Sequence, residues 1–129
     1  MTYKEIIGQS VYADAAIKAI RAEIDQLHQY EALIGQRDDD LRENLNDQIL
    51  RIEMKRKIVD DFIEKISDPE IKQIIHLRFF RHKSWTEVNC IVYGYPDSQY
   101  SFRRIDRYFQ KQDLTGIEKN LHYVHNALF

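Results

Sequence analysis

Two long stripes of apolar residues, separated by only a few residues around Gly35, constrain the fold of this chain most strongly. The first stripe runs from Val11 to Ile34 in alternating four- and three-residue steps and is broken once, at Glu31. Such spacing is typical of an amphipathic helix with a heptad-like seam. The second stripe, Leu41–Ile66, follows three aspartates that favour the positive end of a helix. We therefore predict a long antiparallel helical hairpin, with helices about 35 to 40 Å long.

Three short helices are predicted after the hairpin. Ser67–Glu70 places a capping residue, a proline suited to the first turn and an acid in the order of a helix start. Ser84–Glu87 has the spacing of a capping box, which predicts a second helix start. A turn at residues 94–97 leads into a third helix from Ser98 to about Gln110, capped by that serine or by the preceding aspartate.

The tail predicts one more helix. Thr115–Glu118 is a second capping-box candidate, and apolar residues repeat at helical spacing from Leu114 to Leu128. The expected fold is all-α: a long antiparallel helical hairpin over residues 1–66, then residues 67–129, which contain a three-helix helix-turn-helix unit and a C-terminal amphipathic helix.

Charge and hydropathy exclude several classes of protein. The chain has 19 Lys and Arg against 21 Asp and Glu, a net charge of −2, which excludes a histone-like coating of nucleic acid. Its uninterrupted apolar runs are far shorter than the roughly 20 residues that cross a bilayer. The N-terminus lacks the apolar run of a signal peptide. We expect a cytoplasmic protein with no membrane partner.

The sequence also lacks the common signatures of enzymes and cofactor sites. No glycine-rich nucleotide or phosphate loop and no paired-cysteine zinc motif occurs, and Cys90 is the single cysteine. His122 and His125 share a helix face, but no third ligand stands at a recognisable spacing. We therefore expect no enzyme activity, no cofactor and no bound metal.

The helix-turn-helix unit carries the candidate functional residues. In such a unit the second helix lies in the DNA major groove, where residues near its start read bases and flanking cations bind phosphates. Glutamine pairs naturally with adenine and arginine with guanine. The predicted base-reading residues are Gln99, Arg103 and Arg107. The predicted phosphate-binding residues are Arg78, Arg81, Lys83 and Arg104.

The same stretch resembles a known group of proteins. Leu77–Phe80, Ser84–Glu87 and the glycine-tyrosine turn at Gly94 resemble region 4 of bacterial sigma factors and, more closely, the ArpU-like and RinA-like phage regulators. The resemblance covers about 43 of 129 residues, and the preceding hairpin is similar to these proteins in position and length. It implies a phage or prophage regulator of transcription that binds double-stranded DNA in the bacterial cytoplasm, with RNA polymerase as a further candidate partner.

Two features depart from the group. Asn89 stands near the expected helix crossing, where the group has a small alanine, and residues 112–129 extend the chain beyond the recognition helix. The extension is expected to pack on the unit, to mediate pairing or to cover the DNA-reading face. Together with the acidic hairpin, these departures motivate an alternative, an anti-CRISPR protein that inhibits a Cas nuclease. Apolar surface left on the hairpin also predicts a homodimer.

Overall fold

A computed structural model describes residues 1–127, which are all-helical and contain no strand, so the predicted all-α class is confirmed. A π-helical turn, His76–Phe80, lies between the fourth and fifth helices. The seven α-helices are α1 (Tyr3–Val11), α2 (Ala13–Ile34), α3 (Asp39–Glu64), α4 (Pro69–Ile75), α5 (Trp85–Tyr93), α6 (Tyr100–Gln110) and α7 (Thr115–Ala127).

Helices α2 and α3 pack against each other as a hairpin. Gly35 ends α2 with a φ of 69°, in the left-handed region where glycine is favoured. Asp38 caps α3, since its carboxylate accepts a hydrogen bond from the Leu41 N–H at 3.0 Å. Glu31, which breaks the apolar stripe, is buried and accepts bonds from the Asp38 N–H, at 2.6 Å, and from the Arg42 guanidinium. The buried carboxylate of Glu31 therefore connects the end of α2 to the start of α3.

The N-terminal part of the hairpin differs from the expectation of one helix starting at Val11. The chain forms a separate helix, α1, and a break at Tyr12 precedes α2. The buried side chains of α1 are Tyr3, Ile6, Ile7 and Ser10, a helical spacing of their own. This helix packs against α3 and the π-helical turn. Both helices that precede α3 in the sequence, α1 and α2, therefore pack on it.

One hydrophobic core joins the hairpin to the three-helix unit. Ile6 and Ile7 from α1, Val59 from α3, and Ile74 and Ile75 from α4 are completely buried in it. Helices α5, α6 and α7 add further buried residues, namely Val88, Ile105, Phe109, Ile117 and Leu121. Residues on both sides of position 66 therefore share a single core.

Helix α7 packs against α3 and is amphipathic, with Ile117, Leu121 and Val124 buried. The predicted capping box at Thr115 is wrong, because Thr115 is already the first helical residue. Asp113 takes the capping role, since its carboxylate accepts bonds from the Thr115 N–H at 3.0 Å and hydroxyl at 2.6 Å. Leu128, the last residue of the predicted apolar repeat, lies outside the described residues.

No helix within residues 1–127 has both the length and the apolar character needed to cross a membrane.

Candidate nucleic-acid interface

Local hydrogen bonds build the helix-turn-helix as the sequence predicts. In the capping box, the Glu87 N–H donates to Ser84 Oγ at 3.1 Å and the Ser84 N–H to Glu87 Oε1 at 3.4 Å. Gly94 then ends α5 with a φ of 85°. Asp97 is the residue that caps α6, since it accepts the N–H groups of Gln99 and Tyr100 at 2.7 and 3.0 Å. These two bonds hold the pKa of Asp97 below its ordinary value. Helix α6 therefore begins two residues later than expected.

Asn89 fixes the two helices of the motif to each other. Its side chain is completely buried, donates to the Tyr95 carbonyl at 2.8 Å and accepts from Ser101 Oγ at 2.7 Å. One amide thus links α5, the turn and α6. Because its polar atoms find partners, the asparagine at the helix crossing fits a close-packed core.

The outward face of α6 carries the predicted base-reading residues. Ser101, Ile105 and Phe109 form its buried stripe, while Arg103 and Arg107 are exposed one turn apart on the opposite side. Gln99 is the residue just before the helix, and its Oε1 accepts a bond from the Arg103 guanidinium at 2.5 Å. The structure therefore brings the three predicted base-reading residues together on one exposed surface, which we call the α6 face.

Arg104 lies outside the α6 face and points toward the start of α4. Its guanidinium contacts Asp68 at 2.5 Å and Glu70 at 3.7 Å. Burial raises the pKa of Asp68, but the hydrogen bond from Arg104 and two backbone N–H groups outweigh burial, so the pKa lies below its usual value. The same bond, which Arg104 donates and Asp68 accepts, raises the pKa of Arg104. Any phosphate would compete with two carboxylates for this side chain.

Arg78 is also engaged inside the fold. It is half-buried in the π-helical turn, donates to the Lys83 carbonyl at 3.0 Å, and lies 4.8 Å from the centre of the Trp85 ring. Trp85 meets Phe79 and Phe102 edge-on, at 6.3 and 5.4 Å between ring centres. Arg78 thus completes a cation–aromatic cluster between the π-helical turn and α6.

The other two predicted phosphate-binding residues lie in the loop before α5. Arg81 is exposed, and Lys83 has a carboxylate neighbour, Glu87, at 3.8 Å. Between them, His82 has a φ of 56°, an uncommon left-handed conformation for a residue other than glycine. The loop therefore presents two cations at the positive end of α5.

Sequence reasoning missed one cation near the α6 face. Lys4 of α1 is exposed, and its Nζ lies 5.2 Å from the centre of the Phe102 ring. Nothing in the sequence links residue 4 to residue 102, because α1 reaches α6 only through the shared core.

The C-terminal extension leaves the α6 face open. Helix α7 packs on α3 of the hairpin, a position that was not among the three expected, while Arg103 and Arg107 remain exposed. Within the part of the chain that the structure describes, no three His, Cys, Asp or Glu side chains group together as metal ligands would.

Comparison with known proteins adds no relative, since no family model, no curated protein and no solved structure matches the chain.

Proposed function

We propose that the chain is a phage or prophage regulator of transcription that binds specific sequences of double-stranded DNA through α6. The observation that carries the proposal is the α6 face, where Arg103 and Arg107 are exposed opposite the buried stripe of the helix. An α-helix fits the major groove of B-DNA, and a planar guanidinium binds the O6 and N7 atoms of guanine with two hydrogen bonds. Two such residues one turn apart reach neighbouring base pairs.

Gln99 adds a second kind of base contact. Its amide is held by the bond to Arg103 at the start of α6, the part of a recognition helix that approaches the bases most closely. A glutamine there pairs with adenine. We infer an operator half-site with guanine and adenine at adjacent positions.

Phosphate contacts come from cations outside the α6 face. Arg81 and Lys83 lie in the loop before α5, and Lys4 lies beside Phe102. Arg78 and Arg104 bind phosphate only by exchanging the internal contacts described above. With three such cations, log K falls with log salt at a slope of about −3 for each bound chain.

The test starts from a pool of random duplex DNA. DNA that stays bound is recovered and sequenced, and its affinity is then measured across salt concentrations. We expect a recovered motif and an affinity that falls as salt rises. The double variant Arg103→Ala/Arg107→Ala should lose the motif and bind its operator at least about 2 kcal/mol more weakly.

A matched control separates base contacts from charge. Arg21→Ala/Lys57→Ala removes the same number of cations from exposed positions on the hairpin and should leave the motif unchanged. An unchanged motif with the Arg103→Ala/Arg107→Ala variant would remove α6 from the mechanism. Binding without a motif, or no binding, would favour a protein target, and inhibition of a Cas nuclease would be measured next.

A further inference from the structure

Helix α2 has a second, uncharged face that none of the residues described by the structure covers. Its inner seam faces α3, and two residues after each seam position stands an exposed residue without charge. A two-residue offset is about 200° around a helix, so these residues lie on the opposite side. They recur in four- and three-residue steps and are Ala15, Ala19, Ala22, Gln26, Gln29 and Leu33. We call this surface the α2 outer face.

Large apolar side chains at its ends are unusually exposed. Leu33 is 85% exposed, Tyr30 60%, and Tyr12, the residue just before α2, 67%. Among the residues that the structure describes, these are three of the four most exposed large hydrophobics. Exposed apolar surface concentrated on one face is typical of a protein interface, because covering it removes that area from water.

The flanking charges indicate what covers the α2 outer face. The heptad pattern has Ala19 and Gln26 at a positions and Ala15 and Ala22 at d positions. Lys18 is then the residue before an a position, and Glu23 is the residue after a d position. When two copies of such a helix run in parallel, the residue before an a position lies beside the residue after the next d position of the partner. Lys18 then meets the second copy's Glu23, and the symmetric contact repeats it.

Parallel pairing also covers Leu33, near the C-terminal end of the α2 outer face. It places Leu33 against the same residue of the second copy. In an antiparallel pair, Lys18 would instead lie beside the partner's residues that precede its own a positions, away from Glu23.

We infer that the α2 outer face binds a second copy of this chain in a parallel two-stranded coiled coil. The pairing does not depend on DNA binding. Where it is combined with the proposed function, it places both helix-turn-helix units at the same end of the dimer, as a two-fold symmetric operator requires.

Sedimentation equilibrium of the full chain over a wide range of concentrations tests the inference. We expect a monomer–dimer equilibrium. Lys18→Glu and Glu23→Lys should each weaken it by about tenfold, because each reverses two symmetric contacts. The double variant Lys18→Glu/Glu23→Lys should restore it. Lys57→Glu, at an exposed position on α3, is the control and should leave it unchanged.

The orientation has its own readout. In a Cys90→Ser background, Ala22→Cys should form an intermolecular disulfide on mild oxidation, because parallel pairing brings residue 22 of one copy next to residue 22 of the other.

A chain that is monomeric at every concentration, or a charge exchange that fails to restore the dimer, would overturn the inference. A dimer without the cross-link would overturn its parallel form. Circular dichroism of each variant shows whether the monomer remains folded, and loss of DNA binding alone leaves the inference intact.

Discussion

A single buried amide, Asn89, connects the two helices of the motif. Its partners are the Tyr95 carbonyl and Ser101 Oγ, and a buried polar group that loses its partner costs about 1 to 3 kcal/mol. We expect Asn89→Ala to lower the free energy of unfolding by about 2 kcal/mol, measured by urea denaturation. Adding Ser101→Ala should recover part of the loss, since the second change removes the unpaired hydroxyl. A loss below about 0.5 kcal/mol would mean that the amide is not holding the helices together.

The contact between Arg104 and Asp68 predicts a dependence of stability on pH. The pKa of Asp68 lies below its ordinary value of 3.8 in the folded chain, so the unfolded chain binds more protons in this range. The stabilisation is present above that ordinary value and is lost as pH falls through the lower, folded pKa. Arg104→Gln should therefore be less stable than the parent above about pH 4, and the difference should shrink at lower pH. Urea midpoints measured from pH 2 to 6 would show this, and a constant difference would contradict it.

At the scale of single helices, two glycines set where α2 and α5 end. Gly35 and Gly94 have positive φ, and no atom lies within 4 Å of an added Cβ at either position. The cost of alanine there is conformational rather than steric, so we expect Gly35→Ala and Gly94→Ala each to lose about 1 kcal/mol of stability. Thermal unfolding followed by circular dichroism gives the value.

Gly116 is the matched control for these substitutions. It lies in α7 with ordinary helical backbone and has the same free space around an added Cβ. Gly116→Ala should therefore be neutral or stabilise the chain by up to about 1 kcal/mol. A loss at residue 116 similar to the loss at residue 94 would mean that backbone conformation is not the cause.

Helix boundaries follow from the sequence wherever a cap is local. The boxes and turns at Ser84, Gly94 and Asp97 act within three or four residues, so residue types at that spacing are sufficient. Helix α1 was missed because its short pattern includes Tyr3 and Ser10, which are not marked as core residues by hydropathy alone. The π-helical turn at residues 76–80 has no local sequence signal that we recognise.

For the whole molecule, the shared core predicts that the three-helix unit depends on the hairpin. A fragment of residues 67–129 lacks Tyr3, Ile6, Ile7 and Val59, which fill the core from the other side. We expect the fragment to show no cooperative unfolding transition in urea, because it leaves that apolar surface uncovered. Cooperative unfolding of the fragment would contradict this and support two independent domains.

A shortened hairpin is the control for that experiment. The core cluster contains no residue between Val11 and Ile58. Replacing residues 28–45 by a short glycine-containing loop should therefore leave cooperative unfolding in place, although at lower stability, because Leu45 and the Glu31 contacts are lost.

The sequence by itself determined the all-α class, most helix ends and the exposed position of Arg103 and Arg107, because periodicity and caps depend on residues only a few positions apart. Only the tertiary structure decided which cations are engaged inside the fold, since the partners of Arg104 lie more than 30 residues away, at the start of α4. It also decided that Lys4 lies beside α6 and that α7 packs on α3 instead of covering the α6 face. Such contacts arise from how amphipathic helices share one core, and no local spacing encodes that choice.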